Sequence, residues 1–335
     1  MKTYTIFDKP LTVYGIPFFY EKKQLARLSD ELLEQLPQLA RWGRCCAGAR
    51  LAFKTDSSTI RIKLVLKTLR VDRGMALYAG QSAQVLVGER SDSRYMGVVN
   101  PPDYNTLEFE KTFQKSSQLE QITVYLPRNE EIETVEISVE DSATVIEPTP
   151  YQYEKPVVFY GSSITEGGCA CNLTNAYSAL LSRWLDFDYY NLGLSGSAKG
   201  ELAVADYINS LNMGVFVYDY DHNAPTVEHL ANTHKPFFDR IRRSHPNIPI
   251  LMMTRPAEVY GEEEKARREV VRATYHAAVA SGDQHVYFID GETLLGKTER
   301  CLCTTDGCHL NDLGFYRMAS VIHPILKEAL EKTQG

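Results

Sequence analysis

The sequence predicts a two-domain chain: an all-β sandwich or jelly roll over residues 1–150, then a three-layer α/β/α domain on a parallel sheet over residues 151–335. Two observations carry this. The apolar pattern has a period of two before Pro148-Thr149-Pro150-Tyr151 and becomes an alternation of strands and helices after it. At 335 residues the chain is also long enough for two units that each bury a core.

In the first half, residues 59–67 alternate charged or polar with aliphatic side chains, as a half-buried strand requires. Residues 107–110, 122–126 and 135–139 repeat the habit. Gly74, Asn100-Pro101-Pro102-Asp103 and Pro127-Arg128-Asn129 supply turns between them. One helix is expected over residues 23–36, where Leu25, Leu28, Leu32, Leu33 and Leu36 recur at helical spacing. Many short strands with few helices point to a sandwich.

In the second half, residues 157–160, 189–192, 215–218, 250–253 and 286–289 read as short apolar strands. Helical periodicity falls on residues 175–185, 227–243, 262–280 and 312–331. Ala266, Val270, Ala273 and Ala277 make one narrow apolar face on the third of these. Phe315, Met318, Ile322, Ile325 and Leu330 are expected to face inward from the last, with a kink at Pro324. Strands alternating with helices imply a parallel sheet covered on both sides. Such sheets carry their sites in loops at the carboxyl ends of the strands.

Composition narrows the function. A hydrophobic fraction of 44% with 24% charged residues is that of a soluble globular protein. A net charge of −7 argues against a nucleic-acid partner, whose phosphates call for a basic face. The opening residues Met1 to Asp8 lack the apolar stretch of a secretory signal, and no run of about 18 apolar residues predicts a membrane span. Seven cysteines, an odd count, then read as reduced thiols in a cytoplasm. Nothing in the sequence specifies the oligomeric state.

The polar residues collect at the predicted strand ends. The first strand runs into Gly161-Ser162-Ser163-Ile164-Thr165-Glu166-Gly167, the second into Gly193-Leu194-Ser195-Gly196-Ser197, and the third into Asp219-Tyr220-Asp221-His222-Asn223. Thr305-Asp306-Gly307-Cys308-His309 stands just before the last helix. A serine hydroxyl needs a base to take its proton, and imidazole has a suitable pKa. The imidazole needs a carboxylate to fix its tautomer and to stabilise the cation that forms. Asp306 and His309, three apart in a turn, can present both groups on one face. Acyl transfer also needs donors for the developing oxyanion. The N–H groups of Ser163 and Gly196 and the side-chain amide of Asn223 are the candidates.

These residues resemble the SGNH (GDSL-type) hydrolase superfamily over Pro156 to about Glu331. Gly161-Ser162-Ser163-Ile164 matches its first block, Gly196 the glycine of the second, Asn223 the asparagine of the third, and Asp306 with His309 the closing Asp-x-x-His. The Gly-Ser-Ser-Ile-Thr-Glu-Gly-Gly opening looks like a subgroup with an N-terminal β-sandwich. The resemblance implies a flavodoxin-like α/β/α catalytic domain and a serine esterase with Ser163 as nucleophile, acting on small-acyl esters such as acetyl groups on carbohydrate, with no metal or organic cofactor. Block position favours Ser163, but Ser162 stands where the family has aspartate, so a nucleophile one residue earlier stays open. The Gly-x-Asn-Asp setting of the third block is absent around Asn223. An acyltransferase with the same triad, or a non-catalytic glycan-binding protein, are the alternatives.

Blander readings apply to the neighbours. A phosphate cradle at the serine-rich loop would leave Asp306 and His309 unexplained, and neither the Walker pattern nor the dinucleotide fingerprint is present. Glu166 reads as a solvated carboxylate at a helix start. His222 reads as bonded to a loop carbonyl, and Cys308 as turned away from the site. Cys169, Cys171, Cys301 and Cys303 read as packed thiols rather than a zinc knuckle.

Overall fold

The computed structural model describes residues 1–72 and 74–334. Among these described residues ten strands precede residue 150: β1 (Lys2–Thr5), β2 (Thr12–Tyr14), β3 (Arg50–Thr55), β4 (Thr59–Leu66), β5 (Ala83–Val87), β6 (Arg94–Val99), β7 (Glu108–Gln114), β8 (Glu120–Tyr125), β9 (Ile132–Val139) and β10 (Val145–Ile146). They form two antiparallel sheets, one in the order β1-β9-β4-β7 and one in the order β10-β3-β8-β5-β6, with β2 also on β3. Every second residue of β4, from Ile60 through Ile62 and Leu64 to Leu66, is buried. These side chains meet Leu51, Phe53, Val85, Ile122 and Val124 of the other sheet in one core. The period-two reading therefore translates directly into a sandwich.

The second half is a five-stranded, all-parallel sheet of β11 (Tyr153–Gly161), β12 (Phe187–Gly193), β13 (Val215–Asp219), β14 (Ile250–Met253) and β15 (Val286–Ile289), in the order β12-β11-β13-β14-β15. Alternate residues serve opposite faces. Val157 and Phe159 pack with helices Tyr177–Leu185 and Asp312–Glu331, while Val158 and Tyr160 pack under helices Leu202–Asn209 and Val227–Ser244. The chain leaves β11 toward β12 on one side and returns to β13 on the other, which opens a crevice at their carboxyl ends. Register sets Gly161, Gly193 and Asp219 side by side there.

Two local expectations are corrected. Residues 23–36 are not one helix: a short turn Phe19–Lys22 ends at Lys23 in a left-handed conformation, and a second helix, Asp30–Gln35, starts from a Ser29 side-chain cap. Leu28, Leu32 and Leu33 are still buried, but in the core of the parallel sheet rather than in the sandwich. Leucine spacing registered the burial and not the break. In helix Glu262–Ala280 the buried face is Arg267, Val271, Thr274 and Ala278, one residue on from the expected alanine stripe. Arg267 turns the helix that way by donating to the carbonyls of Asp221 and Ala224 at 2.7 and 2.9 Å. Helix Asp312–Glu331 is continuous through Pro324. Among the described residues no helix is long and apolar enough to cross a membrane.

Candidate active site

The loop after β11 is held in place by contacts that leave little freedom. Gly161 has no room for a side chain, since a Cβ would sit 2.1 Å from both the Asp219 carbonyl oxygen and Thr165 Oγ1. Ser162, 1% exposed, caps the one-turn helix Ser163–Glu166 by accepting from the Ile164 N–H at 3.1 Å. Its hydroxyl is committed to the backbone. Ser163, next along and 6% exposed, turns its Oγ outward to His309 Nε2 at 2.9 Å. Of the two adjacent serines, it is Ser163 that meets the imidazole.

His309 and Asp306 arrive on the turn before the last helix. Asp306 Oδ1 accepts from the amides of Cys308 and His309 at 3.1 and 2.8 Å, which folds the turn back on itself. Asp306 Oδ2 then lies 2.8 Å from His309 Nδ1. Burial works against the Asp306 charge, but hydrogen bonds from the His309 amide, the His309 ring and the Cys308 amide outweigh it and hold the carboxyl down at about 2. An ionised carboxylate only accepts, so Nδ1 carries a proton and Nε2 is the nitrogen that exchanges one with Ser163. The Cys308 thiol and, against burial, the Asp306 carboxylate lift the imidazole to about 9. The Asp306 and His309 side chains are 53% and 30% exposed, so this pair opens to solvent while the serine sits deeper.

Gly196 lies in the turn after β12 at φ +67°, a left-handed conformation that glycine adopts without strain. Asn223 follows β13 and donates its side-chain amide to the Leu194 carbonyl at 3.1 Å, tying these two loops together. Among the described residues the N–H groups of Ser163 and Gly196 donate to nothing. Two free amides and one amide side chain thus stand at the ends of three adjacent strands.

Three features escaped the sequence. Glu166 is not solvated: it is 2% exposed and ion-paired with the equally buried Arg27 at 3.2 Å. The other Glu166 oxygen accepts from the Ser195 hydroxyl and, at 3.3 Å, from the Ser195 N–H, so it fixes the turn that carries Gly196. Arg128, also buried, donates to the carbonyls of Gly167 and Gly168 and pins the far side of the serine loop. Cys308 does not turn away. Its Sγ lies 3.1 Å from His222 Nε2, which replaces the loop carbonyl expected for that histidine. His234, by contrast, is buried, bonded to Thr274 at 2.9 Å and pushed down to about 3 by burial, as a structural histidine should be.

Comparison with known proteins follows the same lines. Residues 154–327 match the GDSL-like lipase/acylhydrolase family, and residues 4–145 match the N-terminal region of SGNH-hydrolase-type esterases. No curated protein matches the sequence. A GDSL-like lipase-type protein from Bacteroides ovatus superposes with a TM-score of 0.88 at 24% identity, over 98% of each chain. The salicylyl-acyltransferase SsfX3 from a tetracycline biosynthetic pathway gives 0.78 at 18% identity, over 98% of this chain and 97% of its own. A family two carbohydrate esterase from Clostridium thermocellum, solved in complex with cellohexaose, gives 0.62 at 16% identity, over 85% and 93%. At these identities the likeness is one of fold, sandwich and α/β/α layers together.

Proposed function

The chain belongs to the GDSL-like lipase/acylhydrolase family, and on that premise we propose that it is a serine esterase acting on small-acyl esters, with Ser163, His309 and Asp306 as its triad. The observation that carries this is the unbroken hydrogen-bond path Ser163 Oγ–His309 Nε2, 2.9 Å, and His309 Nδ1–Asp306, 2.8 Å. His309 takes the Ser163 proton as Oγ attacks the ester carbonyl, and Asp306 stabilises the imidazolium that results. The oxyanion forms against the Ser163 and Gly196 N–H groups and the Asn223 amide. His309 returns its proton to the leaving alcohol, then activates the water that releases the acid. The chain's own residues suffice for each of these steps.

An acetyl ester on an oligosaccharide is the substrate we favour. The shared two-layered architecture with a carbohydrate esterase that binds cellohexaose supports it, as does the solvent-open position of His309. A second reading, transfer to an alcohol acceptor instead of water, is favoured by the overlap with an acyltransferase across nearly the whole chain. The test is hydrolysis of p-nitrophenyl acetate and of acetylated oligosaccharides by the wild type beside Ser163→Ala. Turnover should fall by at least about 10⁴-fold in the variant with its melting curve unchanged. Fluorophosphonate labelling of any residue but Ser163 would overturn the triad. A product ratio that swings to new esters when alcohols are added would select transfer.

A further inference from the structure

We propose that Cys308 is a covalent modification site for small disulfides, with His222 as its proton acceptor, and that its adduct shuts the neighbouring triad. The second half of this rests on the esterase reading; the first does not. Cys308 lies between Asp306 and His309 in the turn, its amide held by Asp306 Oδ1 at 3.1 Å. Its sulfur is 3.1 Å from His222 Nε2 and within 4.8 Å of an Asp306 oxygen and a His309 nitrogen. The thiol is therefore fixed between two imidazoles, one from the end of β13 and one from its own turn before the last helix, and it is only half-buried.

A thiol so placed hands its proton to the ring and becomes the nucleophilic thiolate. The remaining cysteines do not share this setting. Burial pushes the thiols of Cys45, Cys46, Cys169 and Cys171 up. At Cys308 the hydrogen bond with His222 and the adjacent His309 ring outweigh burial and bring it down to about 6. Among the described residues His222 Nδ1 is buried and bonded to nothing, so the ring's one partner is this sulfur.

The reaction balances as an exchange. The Cys308 thiolate attacks one sulfur of R–S–S–R, a Cys308–S–S–R bond forms, and the old S–S bond breaks. The Cys308 sulfur is oxidised, the departing RS⁻ is reduced, and RS⁻ collects the proton that His222 holds. The R–S group then occupies the space beside His309, whose ring nitrogen lies within 4.8 Å of the sulfur. Ser163 is untouched.

The experiment treats the full chain with bis(2-hydroxyethyl) disulfide and follows adducts by peptide mass alongside turnover of p-nitrophenyl acetate. Cys308 should be modified at least 10-fold faster than the exposed Cys171 and Cys301. His222→Ala and His222→Gln should each slow that reaction about 10-fold, the second variant guarding against a packing defect in the first. Turnover should fall in step with the adduct, recover with dithiothreitol, and resist the disulfide in Cys308→Ala. Labelling of Cys308 no faster than of Cys171, or labelling indifferent to both His222 variants, overturns the site. Full modification with undiminished turnover overturns its control of the triad. Absence of turnover in untreated protein overturns the esterase reading and leaves the labelling rates to decide the thiol.

Discussion

Glu166→Gln is the sharpest probe of how the serine loop is held. The substitution keeps the shape and deletes one charge. In the native protein the Glu166 carboxylate serves Arg27 Nη2 at 3.2 Å with one oxygen and the Ser195 amide and hydroxyl with the other. Glutamine keeps a single acceptor oxygen, so either the guanidinium or Ser195 goes unserved. Breaking a buried ion pair costs about 3–5 kcal/mol because the surviving charge stays buried. Arg27 also donates to the carbonyls of Trp42, Cys45, Asn191 and Gly193, which solvate it in part. The cost should thus fall near the lower end, about 3 kcal/mol. Urea unfolding followed by the fluorescence of the two tryptophans measures it. Because Ser195 anchors the turn that carries Gly196, kcat on p-nitrophenyl acetate should drop about 10-fold with KM little changed, a fraction of the loss when an oxyanion donor is removed outright. Arg27→Met in the same background closes a double-mutant cycle. The pair should be less damaging than the sum of the singles by about 2 kcal/mol or more. Stability within about 0.5 kcal/mol of wild type for Glu166→Gln, or strict additivity with Arg27→Met, would refute the account.

Other consequences can be measured with the same assays. Asp306→Asn should leave the fold intact and lower kcat about 10⁴-fold, because the wrong imidazole tautomer then faces Ser163. The base must be neutral to act, and His309 is lifted to about 9, so kcat/KM should climb with pH through neutrality toward that value. Cys308→Ala removes the largest upward cause, so the limb should move to lower pH; a limb that stays in place would contradict it. Gly193→Ala should fail to fold, judged by soluble yield and circular dichroism, since its Cβ would lie 2.2 Å from the Glu166 backbone nitrogen. Asn223→Ala should lower kcat about 10–100-fold while binding of substrate is retained.

What the sequence made legible was whatever one strand or one turn could state by itself. Residues 250–253 and 286–289 carry unbroken apolar runs, and they are strands with those bounds. Asp306 and His309 meet because a three-residue turn closes on itself, a short-range event that spacing encodes. Glu166 was misjudged because its partner Arg27 is 139 residues away, and no local pattern announces that a first-turn carboxylate will be enclosed. Cys308 was misjudged for the same reason: the group that turns its sulfur inward, His222, is 86 residues away at the end of β13. The helix expected over residues 23–36 failed differently. Arg27 is drawn out of helical geometry by carbonyls of β12, and tertiary demand overrode leucine periodicity.

The same arginines change how the two halves should be regarded. Arg27 and Arg128 precede the parallel sheet in sequence, yet between them they hold Glu166, Gly167, Gly168, Asn191 and Gly193, the residues on which the serine and glycine loops turn. Arg50 of β3 pairs with Asp188 of β12, and Arg90 with Asp186 just before that strand. A buried carbonyl that loses its donor by a single substitution, such as Arg128→Met, stays desolvated at about 1–3 kcal/mol each, and removing the first half would take away every one of these donors together. Leu28, Leu32, Leu39 and Trp42 also close one face of the parallel sheet's core. A sandwich that merely tethered or presented the second half would need no buried cations aimed at the loop behind the serine. The arginines of the first half hold the loops on which Ser163 and Gly196 turn, so the geometry at Ser163 is a property of the whole chain.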